Sequence, residues 1–179
     1  MGVCNATALP GKLVMGSPGT GSAPHLAEAL FLQMANIKMT HAPYRGAAPA
    51  FNDLIPGRID CYFGSGELLG FWRSGQVRAL VTTGSVRSPA APELPTIAEA
   101  GIAGYVVDSW QGVFVPAKTP PEIVRKMSAS IDAALAEPTV RNKLATMGYG
   151  AAGSSPKALR DFLQSDTNKW KAVIEAAHI

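Results

Sequence analysis

Residues 16–25 read GSPGTGSAPH, between the apolar run Lys12-Leu13-Val14-Met15 and the helical-looking segment LAEALFLQMA. A glycine-rich turn that carries a strand into a helix leaves backbone N–H groups unpaired at the positive end of the helix dipole, an arrangement that favours an oxyanion. Ser17 opens the turn. Thr20 and Ser22 add hydroxyl donors, and the amides from Thr20 through Gly21 and Ser22 to Ala23 converge ahead of the helix. Pro24 suits the first helical turn, where its missing N–H has no intrahelical use. The same residues also fit a plain helix start, with Ser22 as cap and the glycines permitting a tight turn, and local sequence divides evenly between the two readings. Neither familiar phosphate loop is present: no Gly-Lys-Ser/Thr ends the turn, and Pro24 stands where the dinucleotide fingerprint needs its third glycine.

Two later turns, Pro43-Tyr44-Arg45-Gly46 and Gly64-Ser65-Gly66-Glu67, occupy the same topological place after a strand, where open parallel sheets bind ligands. Tyr44 offers a hydroxyl, and Gly64 and Ser65 offer amides and a hydroxyl. His25 reads as a partly exposed residue of the capping region, because no Ser, Cys or acid stands at a partner spacing. The nucleophile elbow GxSxG is absent. Cys4 and Cys61 form no CxxC pair, and His25, His41 and His178 fit no metal-ligand spacing, so neither a metal nor a cofactor is expected.

These turns need a scaffold. With 179 residues and 47% apolar content the chain can bury a sizeable core. Its net charge of +3 is scattered rather than gathered into runs, which disfavours nucleic acid and suits a small anion. Met1 to Ala6 lack the basic start and apolar run of a signal peptide, and no apolar stretch is long enough for a membrane helix. After ten featureless residues, strand-like and helix-like segments alternate, which predicts an α/β fold with a mostly parallel sheet flanked by helices. Strands are expected at 13–16, 38–41, 59–63 and 77–83, with a long apolar strand at 105–116. The first helix is expected to bury Leu26, Ala27, Leu30, Phe31 and Met34. A weak helix is read in TIAEAGI, a T-x-x-E capping box at Thr119 to Glu122, and helices starting at Pro138 and at Ser155-Pro156. Trp110, Phe71, Trp72 and Trp170 read as packing residues.

As a set, GSPGTGSAPHLAEALF, THAPYRGAAPAFNDLIPGRID, VRALVTTGSVRSPAAPELPTIAEAG, DSWQGVFVPAKTPPEIV and the closing helix resemble the substrate-binding proteins of tripartite tricarboxylate transporters, the TctC or Bug family. The likeness runs in register from about Lys12 to the C-terminus. It implies a periplasmic-binding-protein-like (type II) fold, a periplasmic location, no catalysis, a small carboxylate as ligand and the membrane permease subunits of the transporter as partners. It places the turn from Ser17 to Ser22, with Thr20 and Gly21, at the ligand, and the candidate ligand contacts are completed by Ala23, Tyr44, Gly64 and Ser65 from the reading of the turns themselves. Two departures accompany it. The Pro-Gly-Gly-rich loop of the family's first lobe has no match here, and Gly64-Ser65 stand where relatives commonly carry Asp or Asn.

The resemblance divides the chain into a second, ligand-binding lobe at 1–104 and, at 105–179, a hinge crossover, the returning part of an incomplete first lobe and the C-terminal helices. The expectation is a carboxylate-binding protein lacking most of its N-terminal lobe, whose uncovered faces lead it to form a homo-oligomer. The alternatives are a remnant that folds without binding, and a small α/β enzyme on an anionic substrate with His25 or Glu67 as acid or base.

Overall fold

Val14–Ser17 form the first strand, β1, and it is the centre of the sheet. Thr40–Pro43 (β2) and Cys61–Tyr62 (β3) flank it, both parallel to it, in the order β2-β1-β3. A central parallel strand is covered on both faces and needs no polar alternation, and Met15, Gly16 and Ser17 are all buried. A Cβ at Gly16 would run into the Cδ1 methyl of Ile59, so a side chain there would force Ile59 to shift. The computed structural model describes residues 11–179; Cys4, the Met1–Ala6 segment and the start of the 1–104 unit lie outside the described residues.

Each strand leads into a helix: β1 into α1 (Ala23–Ala35), β2 into α2 (Ala47–Leu54), and β3 through a single 3-10 turn into α3 (Leu69–Arg73). This is the expected α/β arrangement. Ser22 caps α1 by accepting from the His25 N–H, and the left-handed Asn36 closes it, with the Asn36 and Ile37 amides on the Gln33 and Leu32 carbonyls. Three further helices follow, α4 (Pro121–Ala136), α5 (Pro138–Thr146) and α6 (Pro156–Ala177), the last capped by Ser155 and packed along α1. The main apolar cluster joins Ala27 of α1 to Ile97, Tyr105 and Val107, with Phe31, Phe63 and Trp170 against it. Tyr105 is fully buried, and its hydroxyl donates to the Ala27 carbonyl at 3.0 Å.

Several elements differ from expectation. The buried residues of α1 are His25, Ala27 and Glu28, while Met34 is 39% exposed. The helix is covered on two sides, by the sheet and by α6 with the Tyr105 segment, so its buried surface is not one apolar stripe. β2 begins two residues later than expected, and β3 is confined to Cys61–Tyr62 with Ile59 buried just before it. Residues 77–83 form no ladder, only one parallel bridge between Thr82 and Thr96; residues 105–116 are not a strand, and Val107 N–H reaches the Thr83 carbonyl at 2.8 Å. β-branched composition supplies fit to a sheet but not a neighbouring strand, and among the described residues neither segment has one.

The capping box at Thr119 is also displaced. Pro121 pushes the residue before it out of the helical region, so Pro120 takes ψ 139 and α4 starts at Pro121 with no side-chain cap. The reciprocal pair forms instead at Thr96 and Glu99, where each amide donates to the other's side chain; Gly101 at φ +116 ends that segment as turns rather than a helix. Trp110 is exposed at its edge, its Nε1–H on Asp166 and its ring against Phe162.

Candidate functional site

Because the three strands are parallel, the turns after β1, β2 and β3 leave from one edge of the sheet. The first turn is held from inside by a polar network. Ser17, fully buried, meets His41 Nε2 at 2.7 Å, and its Oγ also contacts the Gly19 backbone through both N–H and carbonyl. Register explains the pairing: His41 stands opposite Met15, so Ser17 is its diagonal neighbour on the same face of the β1–β2 pair. The His41 ring stacks on His25 of α1, with centroids 3.8 Å apart and the ring planes nearly parallel at 9°. His25 Nδ1 in turn accepts the Gly21 N–H at 3.0 Å. An amide nitrogen only donates, so His25 is neutral with its proton on Nε2. Burial lowers the His25 pKa; burial first, and then the positive charge His25 would carry if protonated, lower that of His41.

This network accounts for most donors of the turn. Gly21 N–H is taken by His25, and Ser22 N–H and Oγ–H both go to the Gly19 carbonyl, the hydroxyl at 2.6 Å. Among the described residues the amides of Thr20 and Ala23 and the Thr20 hydroxyl have no partner, and both residues are exposed. They are the donors free to meet an anion at the α1 N-terminus.

Tyr44 lies beside this turn through its backbone: Tyr44 N–H donates to the Ser17 carbonyl and Gly46 N–H to that of Pro18, both at 2.9 Å. Its phenol points elsewhere, donating to Asp53 Oδ2 at 2.8 Å, while Arg58 holds the other carboxylate oxygen at 2.9 Å. Gly64 and Ser65 follow β3. Ser65 N–H donates to Glu67 Oε1 at 3.2 Å and its hydroxyl donates to Glu67 Oε2, so Glu67 engages both donors. Gly64 and Ser65 line an open concavity of about 2000 Å³ walled also by Tyr62, Trp72, Asp108 and Phe114; Ser17 to Ala23 and Tyr44 are not part of it. That volume exceeds the roughly 300–1,000 Å³ of a small-molecule pocket.

Sequence reasoning missed two features. His25, expected to be partly exposed, is buried against His41; this contact depends on the β1–β2 register, although the four-residue spacing from Gly21 to His25 was a local hint. Glu28 is only 2% exposed, and its Oε2 has no hydrogen-bond partner among the described residues. Burial pushes its pKa up to about 8. Cys61 is a free thiol raised by burial to about 12, which keeps it protonated and unreactive. Among the described residues no cluster of His, Cys, Asp and Glu is arranged to hold a metal ion, and no helix is long and apolar enough to cross a membrane.

The chain matches the model of the tripartite tricarboxylate transporter family receptor over residues 3–179. It is 42% identical over 171 residues to a UPF0065 protein of the tcbD-tcbE intergenic region of Pseudomonas sp., covering 92% of this chain and 50% of that protein. A second relative, the UPF0065 protein of the clcB-clcD intergenic region of Pseudomonas knackmussii, is 35% identical over 158 residues, with 87% of this chain and 94% of the relative covered. Among solved structures, an R. palustris protein with adipate superposes with a TM-score of 0.87 at 32% identity, over 99% of this chain and 60% of that one. MatC from Rhodopseudomonas palustris with bound malate gives 0.79 at 29% identity, over 96% and 60%. Apart from the Pseudomonas knackmussii protein, the chain spans about half the length of the curated relatives it matches. With its β2-β1-β3 parallel sheet, its flanking helices and a family match over nearly its whole length, this chain belongs to the tripartite tricarboxylate transporter receptor family, the TctC or Bug solute-binding proteins.

Proposed function

We propose that this chain binds a small di- or tricarboxylate in the periplasm, on behalf of the membrane permease subunits of a tripartite tricarboxylate transporter, and catalyses no reaction. The observation that carries the reading is the pair of unpartnered amides, Thr20 and Ala23, where β1 runs into α1. They lie at the carboxyl end of a parallel strand and the positive end of a helix, which suits a carboxylate held by neutral donors. The carboxylates named with the similar structures, adipate and malate, support the same ligand class. In this reading Ser17, Gly21 and Ser22 frame the turn from behind without touching the ligand, Tyr44 supports it through its backbone, and Gly64 and Ser65 line the neighbouring concavity. Residues 1–104 form the ligand-binding lobe, and 105–179 the crossover with the C-terminal helices.

Ala23→Pro tests it cleanly. Ser22 already has φ −69 and ψ 158, the conformation a residue before proline prefers, and position 23 is the first of the helix, where proline is tolerated. The substitution therefore deletes one N–H donor and leaves the helix in place. A hydrogen bond to a charged group is worth about 1.5–3 kcal/mol, so calorimetric titration with malate and adipate is expected to show affinity falling by roughly tenfold or more. Equal affinity in a folded Ala23→Pro protein would remove the Ala23 amide from the site.

A further inference from the structure

His25 does not face the solvent side of the turn, yet it spends its only lone pair on the turn's backbone. We propose that the stacked pair His25–His41 positions the carboxylate-binding turn: neutral His25 holds Gly21 N–H inward, His41 ties the same ring to Ser17 at the root of the turn, and together they leave the Thr20 and Ala23 amides facing outward. The proposal rests on the binding role argued above, but its geometry stands independently of any ligand.

The links form one chain through three elements. Ser17 on β1 contacts His41 on β2, His41 stacks on His25 of α1, and His25 accepts from Gly21 in the turn. Gly21 has φ +76, a conformation that favours glycine. With its amide anchored to Nδ1, the backbone between Gly19 and Ser22 is fixed at both ends, because Gly19 is bonded to the Ser17 and Ser22 side chains. Protonation of His25 would turn Nδ1 into a donor facing another donor 3.0 Å away, and the clamp would open. The titratable group in contact with His25 is His41, whose own protonation a charged His25 disfavours; Glu28 lies one turn further along α1. Burial of both rings keeps the neutral, clamping form populated at neutral pH.

The test separates the clamp from the ligand. Long-range nitrogen NMR on the intact chain is expected to find His25 as the Nε2–H tautomer at pH 7, and the Gly21 amide shift is expected to titrate together with the His25 ring. In His25→Phe, which keeps an aromatic ring against His41, that titration vanishes. In His25→Asn, whose Oδ1 stands near the place of Nδ1, the Gly21 amide stays hydrogen-bonded and does not titrate with a ring. Calorimetry with malate then reads the consequence: affinity drops at least tenfold in His25→Phe and returns to within about threefold of the parent in His25→Asn. An Nδ1–H tautomer, or a Gly21 shift indifferent to His25, would overturn the clamp whether or not malate binds. Normal malate affinity in a folded His25→Phe protein would overturn its positioning role. Failure of the parent chain to bind malate or adipate would count against the carboxylate reading and the positioning role with it, while the NMR arm still decides the clamp.

Discussion

Replacing Glu28 by glutamine is predicted to stabilise the protein at neutral pH, and the size of the effect follows from where the side chain sits. Glu28 is buried on α1 with Oε2 unpartnered, so ionising it places an uncompensated negative charge in the interior. Its carboxyl titrates at about 8 in the fold, against 4.5 for an unperturbed Glu. A raised carboxyl pKa means that the folded state holds its proton more tightly than the unfolded chain. The associated stability is fully present below pH 4.5 and is lost progressively up to about pH 8. The loss is about 1.4 kcal/mol per pH unit inside that window, so the interval from roughly pH 5 to 7.5 removes on the order of 3 kcal/mol.

Glutamine has nearly the same shape and no titration, and the difference between the two proteins isolates this one group. That difference matters because His25 and His41 act in the opposite sense: burial lowers their pKa values below 6.5, so their contribution is present above 6.5 and lost as pH falls. These histidine contributions cancel when Glu28→Gln is compared with the parent. Urea denaturation at a series of pH values is the assay. With a slope of about 2 kcal/mol per molar urea, the gap between the midpoints is expected to widen by roughly 1.5 M from pH 5 to pH 7.5, with the variant the more stable. Two midpoint curves that run parallel across this range would refute the reasoning, for they would mean that Glu28 ionises in the fold as easily as in the unfolded chain.

Two more outcomes are expected. Ser155→Ala removes the acceptor for Ala158 N–H at the start of α6, and thermal denaturation should register a loss of about 1 kcal/mol. Val113 and Phe114 are 62% and 64% exposed and line the same open concavity as Val124, Met127 and Ile131 of α4; exposed apolar surface favours self-association, so light scattering is expected to find a dimer or larger species that Phe114→Asp shifts toward monomer, and a parent that stays monomeric at high concentration would contradict this.

The parts of the fold legible in the sequence were those specified over short distances. Ser22 and Ser155 each precede a proline-containing first turn, and both cap their helices through an amide three residues on. The α/β alternation itself is local periodicity, and it placed β1, α1 and the three late helices close to their observed bounds. What failed required a partner. Residues 77–83 and 105–116 have strand composition, but strand formation is a property of pairs, and only Thr82 finds one. Thr119 matched a capping pattern whose outcome was decided by an adjacent proline, whereas Thr96 and Glu99 satisfied the same pattern with nothing to stop them. The turn residues were likewise visible, but which donors remain open was not: Ser22 and Gly21 looked as available as Thr20 and Ala23 until the network behind them was placed.

That network bears on how a binding turn keeps its shape. Free amides at a helix start are common, and an unsupported glycine-rich loop samples many conformations in which they do not converge. Among the described residues, three of the four buried polar side chains, Ser17, His25 and Glu28, belong to the single β1–α1 unit, and two of them spend their hydrogen-bonding groups on the turn. Burying them is unfavourable unless they are paired, and the pairing of Ser17 and His25 is what orders Gly19 and Gly21. Glu28 receives no such return, which is why its replacement is the one predicted to raise stability while leaving the turn unchanged. Substitutions at Ser17 or His25 act on the same unit in the other direction, loosening donors that the ligand would otherwise find already in place.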